Sequence, residues 1–291
     1  MSTIERAMHR ARVPRIRVVD SGQQQPAETQ QPAVAPEPAP RPQQAGNPQF
    51  QPLDSEAMQR HGLLVTQDKR QRLVEEFRLL KRPLIRNAFG DVAARAQAAN
   101  LVMLTSAVPG EGKTFCTINL ALSMARELER TVLLVDADVA RPSVAKYLGL
   151  EAKRGLLDVL RPGGPDLSEV LIRTDAENLV VLPAGTPCPN ATELLASSAM
   201  AELTREMAER YPDRIVLFDS PPMLATTEAP ALAHHMGQVV LVVEAERAAP
   251  EMVKAALEMV DDCEIVMTLL NKLRPMPGLD QRQGYYGSYG Y

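Results

Sequence analysis

The chain of 291 residues contains no tryptophan, and aromatic side chains make up only 4% of it. Its three cysteines, Cys116, Cys188 and Cys263, lie far apart and form no CxxC pair. That spacing excludes a disulfide framework and a cysteine zinc site, and it fits reduced cytosolic thiols. No uninterrupted apolar run approaches the roughly 20 residues that a membrane-spanning helix needs. The N-terminus has no apolar stretch of the secretory kind. A cytoplasmic protein is therefore expected, with any attachment to the inner face of the membrane made through a partner. A net charge of −4 and a pI of about 5.7 give no support for a nucleic-acid partner. Positive charge is local: Arg6, Arg10, Arg12, Arg15 and Arg17 in one run, and Lys69, Arg70, Arg72, Arg78, Lys81, Arg82 and Arg86 in another. Both runs read as solvated helix faces. His234 and His235 are adjacent, do not share a helix face, and read as structural or exposed.

What is present is globular: 45% hydrophobic and 23% charged residues, enough for one large core plus extra segments. Residues 1–20 begin with STIERAMHRAR, a short basic helix with Ser2 as its cap. Residues 21–55 are dense in Pro, Gln and Ala and form a disordered, partly polyproline-II linker. The domain proper is expected over 56–275. It opens with a helix over 67–82, in which Leu73, Phe77, Leu80 and Leu84 recur at helical spacing and Pro83 marks the stop or kink.

From Leu101 onward short apolar runs alternate with helical stretches. The runs are LVML (101–104), TVLLVD (131–136), LVVLPA (179–184), RIVLFD (214–219), QVVLVVEA (238–245) and EIVMTLLN (264–271). Continuously apolar strands are buried on both faces. The pattern predicts an α/β fold with a mostly parallel, doubly wound sheet and helices on both faces, of P-loop NTPase type.

The first of these strands runs into TSAVPGEGKT, Thr105 to Thr114, and then into a helix. Glycines there let backbone N–H groups close around phosphates, Lys113 reaches the β and γ oxygens, and Thr114 offers a hydroxyl to Mg²⁺. The candidate nucleotide-binding set is Pro109, Gly110, Glu111, Gly112, Lys113, Thr114 and Phe115. Ala107 stands where the strict pattern has its first glycine. Two other strands end in acids, Asp136 and Asp138 after one and Asp219 after the other. In an open α/β sheet such strand ends converge at the ligand, and a cation on a triphosphate needs hard oxygen ligands.

TSAVPGEGKT, LLVDAD and VLFDSPP together resemble the Walker A, A′ and B motifs of bacterial tyrosine kinases. The final residues GYYGSYGY hold four of the chain's six tyrosines. They resemble that family's C-terminal autophosphorylation cluster: Tyr285, Tyr286, Tyr289 and Tyr291, on a flexible 276–291 tail. EEFRLLK is similar to the family's E-x-x-R-x-x-R oligomerisation helix, with Glu75 and Arg78 matching and Lys81 in the final place. FRLLKRPLIRNAFG, DADVARPS and LPAGTPCPNATELLAS look like the separate-chain autokinases of exosortase exopolysaccharide loci.

The resemblance implies an ATP- and Mg²⁺-dependent protein-tyrosine kinase that phosphorylates its own tail and regulates exopolysaccharide polymerisation or export. It implies that Lys113, Asp136, Asp138 and Asp219 carry the chemistry. Thr114, Asp138 and Asp219 would hold the metal, and Asp136 would orient or deprotonate the attacking tyrosine, although spacing alone leaves base and ligand interchangeable among the three acids. Arg141 falls one place later than in the family's A′ motif. Asn271, at the end of the last strand, would approach the adenine. Partners implied are further copies of the chain, a separate transmembrane chain-length regulator and a tyrosine phosphatase. The rival is a MinD/ParA-like regulatory ATPase, whose second P-loop lysine would fall at Val108, or a nucleotide-binding scaffold without kinase activity.

Overall fold

The computed structural model describes residues 49–64, 71–90, 97–127, 129–210 and 213–273. The expected short N-terminal helix, most of the expected 21–55 linker and the four tail tyrosines lie outside them. Eight strands form one sheet: β1 (Gln49–Phe50), β2 (Leu101–Ser106), β3 (Thr131–Asp136), β4 (Ile172–Arg173), β5 (Leu179–Leu182), β6 (Arg214–Asp219), β7 (Gln238–Glu244) and β8 (Ile265–Asn271). Their order is β1-β4-β5-β3-β6-β2-β7-β8, with the β4–β5 pair antiparallel and the other neighbours parallel. The helices are α1 (Ser55–Arg60), α2 (Gln71–Phe89), α3 (Lys113–Met124), α4 (Val144–Leu148), α5 (Leu156–Val159), α6 (Leu167–Val170), α7 (Ala191–Leu195), α8 (Ser198–Glu209), α9 (Glu228–Ala233) and α10 (Pro250–Glu258).

Five of the six apolar runs became inner strands with both faces covered, whereas the sixth, β8, is an edge strand that exposes Val266 and Leu270. Successive side chains of a strand point to opposite faces. Leu101, Met103, Leu133, Val135, Val216 and Phe218 join the core under α5 and α7 to α10. Val102, Leu104, Val132, Leu134, Ile215 and Leu217 join the core under α1 to α4. Phe218 is 0% exposed, and its truncation to alanine would cost about 3–5 kcal/mol.

Two expectations need correction. Residues 49–55, at the end of the expected linker, are built into the domain. Gln49–Phe50 pairs with β4, and the Leu53 N–H donates to Asp175 Oδ1 at 2.9 Å. Asp54 then caps α1 by accepting from the Glu56 and Ala57 N–H groups. The proline-rich composition of the run conceals a strand of only two residues. Pro83 also fails to end its helix, and α2 continues to Phe89. Proline removes one donor, which would have bonded the carbonyl of Leu79. Leu79 is 58% exposed, so water can serve that carbonyl, and Leu84 and Ala88 beyond the proline hold the helix to the core.

β2 lies between β6 and β7, so the chain steps to one side of β2 for β3 and β6 and to the other for β7 and β8. The carboxyl ends of β3, β6, β2, β7 and β8 therefore stand in a row, at the point where strand order reverses.

Candidate active site

The loop after β2 turns at Gly110 and Gly112, whose φ angles of 91° and 96° lie in the left-handed region, which glycine enters without steric cost. α3 starts at Lys113, so the lysine and Thr114 stand in its first turn. Lys113 Nζ lies 2.6 Å from Asp138 Oδ2 and 3.9 Å from Asp219 Oδ1. The Thr114 hydroxyl donates to Asp219 Oδ2 at 2.7 Å. Lys113, Thr114, Asp138 and Asp219, read from three separate segments, thus form one hydrogen-bonded cluster. Asp136 adjoins them: its Oδ2 accepts the N–H groups of Ser143 and Val144, both at 3.0 Å, at the start of α4. Its Oδ1 is buried without a hydrogen-bond partner.

Buried this close together, the Asp136 and Asp219 carboxyls and the Lys113 ammonium leave their ordinary ranges. Burial, followed by the charge of Asp219, pushes the Asp136 carboxyl up to about 7. Burial likewise raises Asp219 to about 6, against the pull of Lys113 and the Thr114 hydroxyl. Burial works against the Lys113 ammonium, but Asp219 and Asp138 more than offset it and hold it above an ordinary lysine. The cluster carries protonatable carboxylates near neutral pH beside a fixed cation, which suits proton acceptance next to a charged phosphate.

Several contributors were not read from the sequence. The Thr117 hydroxyl donates to Asp219 Oδ1 at 3.3 Å, and the Ser143 hydroxyl lies 3.4 Å from Thr114 Oγ1. The T-x-x-T spacing on one helix face and a serine directly before α4 were the available signals. Glu111 is 1% exposed, and its carboxylate accepts the Val108 and Glu244 N–H groups. Asn271 does reach the loop, where its amide donates to the Glu111 carbonyl at 2.8 Å. Pro109 is exposed and Phe115 half-buried, the latter edge-on to Phe77 of α2. Arg141 is exposed, and its backbone N–H donates to Asp138 Oδ1 at 3.1 Å. Val108, where the rival ATPases would place a lysine, packs against the apolar core. Cys116, one turn from the lysine, is buried with its thiol pushed up to about 12, so it supplies no thiolate.

The oligomerisation motif divides. Glu75 and Arg78 are exposed and pair with each other at 3.3 Å. Lys81, expected at the same interface, is only 7% exposed and binds Ser123 O and Glu127 within its own chain. It faces inward because it stands four residues after Phe77, on the stripe of α2 that packs on α3.

A cavity of about 930 Å³ at the opposite, amino ends of β2 and β7 is lined in part by His234, His235 and Cys263. Its lining includes none of the phosphate-loop residues or strand-end acids. No helix among the described residues is long and apolar enough to cross a membrane.

The donor set fits a magnesium ion. Thr114, Asp138 and Asp219 offer hard oxygens, and Mg²⁺ is commonly held by one or two carboxylates together with phosphate oxygens. Among the described residues, no group of three His, Cys, Asp or Glu side chains forms a metal cage.

Residues 100–272 match the AAA domain model. The tyrosine-protein kinase YwqD of Bacillus subtilis strain 168 is 32% identical over 233 residues, which is 79% of this chain and 93% of that protein. The tyrosine-protein kinase wzc of Salmonella typhimurium strain LT2 is 32% identical over 189 residues. The match takes in 64% of this chain but only 26% of that longer protein. The crystal structure of the chimerical protein CapA2B2 superposes with a TM-score of 0.63 at 26% identity, covering 79% of this chain and 94% of that one. With the phosphate loop and the strand-end acids gathered at one point, and with YwqD alike along nearly its whole length, the chain belongs to the bacterial tyrosine-protein kinase family.

Proposed function

We propose that this chain is an ATP-dependent protein-tyrosine autokinase whose substrates include its own Tyr285, Tyr286, Tyr289 and Tyr291. The observation that carries the proposal is the convergence of Lys113, Thr114, Asp138 and Asp219 into one hydrogen-bonded cluster at the mouth of a phosphate loop. Phosphoryl transfer needs positioning and charge neutralisation more than covalent help. Lys113 and the loop N–H groups neutralise and orient the phosphates. Thr114, Asp138 and Asp219 would hold a magnesium ion, which would shield the triphosphate's charge. Asp136, with a carboxyl near 7 and an unpartnered oxygen, accepts the phenol proton. A phenol of pKa about 10 is mostly protonated at neutral pH, so a nearby carboxylate helps as the bond forms.

The tail is suited to transfer between copies. About 14 residues separate Asn271 from Tyr285, a span with a root-mean-square reach of about 20 Å if flexible and roughly 45–50 Å if extended. The chain leaves β8 beside the phosphate loop, so the tail starts on the catalytic side. Four phosphates would add roughly −6 to −8 charge in seven residues. Likeness to exosortase-associated autokinases supports a role in exopolysaccharide polymerisation or export. It also supports peripheral placement at the inner membrane face through a separate transmembrane chain-length regulator, and reversal by a tyrosine phosphatase.

The test mixes a Lys113→Met chain with an active chain lacking residues 284–291, adds Mg-ATP, and reads tail peptides by mass spectrometry. Phosphotyrosine on the inactive chain's tail is expected. If neither this mixture nor full-length protein with Mg-ATP and a cognate activator labels the four tyrosines, the autokinase proposal fails.

A further inference from the structure

The crest of the phosphate loop is tied down by side chains that no phosphate would touch. Glu111 sits in the loop, yet its carboxylate turns away from solvent. Its Oε2 accepts the Val108 N–H at 2.9 Å, and its Oε1 accepts the Glu244 N–H at the end of β7 at 3.2 Å. From β8, the Asn271 amide donates to the Glu111 carbonyl at 2.8 Å, and Lys272 Nζ donates to the Gly110 carbonyl at 2.6 Å. Lys272 is steadied by Glu244 Oε2 at 3.1 Å, which also holds Arg247 at 3.1 Å. The approach is close enough that a Cβ on Gly112 would lie 2.2 Å from Asn271 Nδ2. Lys272 makes its contact from a left-handed backbone with φ of 58°, which a non-glycine residue adopts at a cost.

The consequence follows from peptide geometry. In a trans peptide the C=O and N–H point in opposite directions. Lys272 and Asn271 draw the carbonyls of the 110–111 and 111–112 peptides towards β8. The N–H groups of Glu111 and Gly112 are thereby turned away from β8. Glu111 meanwhile removes the Val108 N–H from the set of free loop donors.

We infer that Glu111, Asn271 and Lys272 are positioning residues that preset the phosphate loop, with Glu111 as the central strap between the loop and the end of β7. This inference rests on the reading of the loop as the nucleotide site. It assigns the Glu111 side chain no contact with nucleotide, and it gives a role to Lys272, the first residue after the last strand.

Glutamine in place of Glu111 keeps one acceptor and turns an amide donor towards a second donor, so it halves the strap. Alanine removes both bonds. Lys272 is exposed, and methionine there keeps the stem while deleting the charge. Affinity for a fluorescent ATP analogue with Mg²⁺ is measured by titration on wild type, Glu111→Gln, Glu111→Ala, Lys272→Met and Lys113→Met, alongside melting temperature without nucleotide. Expected dissociation constants rise about three- to tenfold for Glu111→Gln and Lys272→Met and more than tenfold for Glu111→Ala. KM for ATP should rise in step, while kcat changes less than threefold. A purely structural role would lower the melting temperature and leave the affinity of the folded protein unchanged. Folded Glu111→Gln and Lys272→Met that bind with wild-type affinity, while Lys113→Met does not, overturn the positioning role and leave the nucleotide reading intact. A wild type that binds no nucleotide overturns both.

Discussion

Lys81 Nζ donates to the carbonyl oxygen of Ser123 at 2.7 Å, and the same ammonium lies 2.5 Å from Glu127 Oε1. A cation therefore closes the C-terminal end of α3, where unpaired carbonyls and the helix dipole favour one. The other end of α3 carries Lys113. The helix that bears the exposed Glu75–Arg78 pair is thus strapped to the helix that bears the phosphate lysine.

Lys81 and the Glu75–Arg78 pair should separate cleanly by mutation. Lys81→Ala leaves a helix-end carbonyl and Glu127 unpaired, which costs about 1–3 kcal/mol, or roughly 3–9 °C in melting temperature for a domain of this size. Glu75→Ala with Arg78→Ala removes an exposed pair worth less than about 1 kcal/mol, so the domain stays as stable. That double variant should nevertheless lower the molar mass in light scattering. Equal mass for wild type and double variant in the presence of nucleotide would remove Glu75 and Arg78 from any interface.

Lys113→Met should reduce ATP turnover at least tenfold, since it deletes the charge aimed at the phosphates and leaves Asp138 without its ion pair. The nucleotide-free variant should also melt earlier than wild type at pH 8, because breaking a buried pair costs about 3–5 kcal/mol. Unchanged turnover would refute the assignment of the loop.

Asp136 gives the fold a pH dependence of definite sign. Its carboxyl is held near 7 against an ordinary 3.8, so the folded chain binds that proton more tightly than the unfolded chain. Its contribution to stability is full below about pH 4 and is lost as pH rises towards 7. Asp136→Asn still accepts the Ser143 and Val144 N–H groups and carries no charge. Without nucleotide it should match wild type near pH 4 and exceed it by about 1–3 kcal/mol at pH 8, while losing kinase activity. A melting difference that stays flat between pH 5 and pH 8 would mean that Asp136 titrates normally.

Replacing Tyr285, Tyr286, Tyr289 and Tyr291 with phenylalanine should abolish the phosphotyrosine signal from the chain alone and leave ATP affinity within twofold of wild type. Persistent label in this variant would direct attention to the two remaining tyrosines, Tyr211 and Tyr147, the latter stacked on His61 with ring centroids 3.9 Å apart.

The sheet and the cluster were legible because buried parallel strands and the P-loop both impose local patterns. β2, β3 and β5 to β8 each announce themselves as apolar runs, and three of them lead into chemistry: β2 into Lys113, β3 into Asp136 and Asp138, β6 into Asp219. β1 and β4 carried no such signal, since two-residue strands make no run. The direction of Lys81 was hidden because an E-x-x-R-x-x-K spacing is the same whether its last member faces a second copy or α3. The strap at Glu111 was hidden for another reason. Its partners, Val108 and Glu244, are backbone N–H groups, and a backbone donor leaves no mark on residue identity.

β1 runs against the direction of β5 to β8, since it is parallel to β4 and β4 is antiparallel to β5. The amino end of β1 therefore lies on the side of the sheet where the phosphate loop lies. β1 and β8 are the outermost strands of the order, some seven strand spacings or about 34 Å apart. The amino end of β1 and the carboxyl end of β8 thus flank the same rim from opposite sides. The rim is thereby framed by the first and the last strand of the described chain.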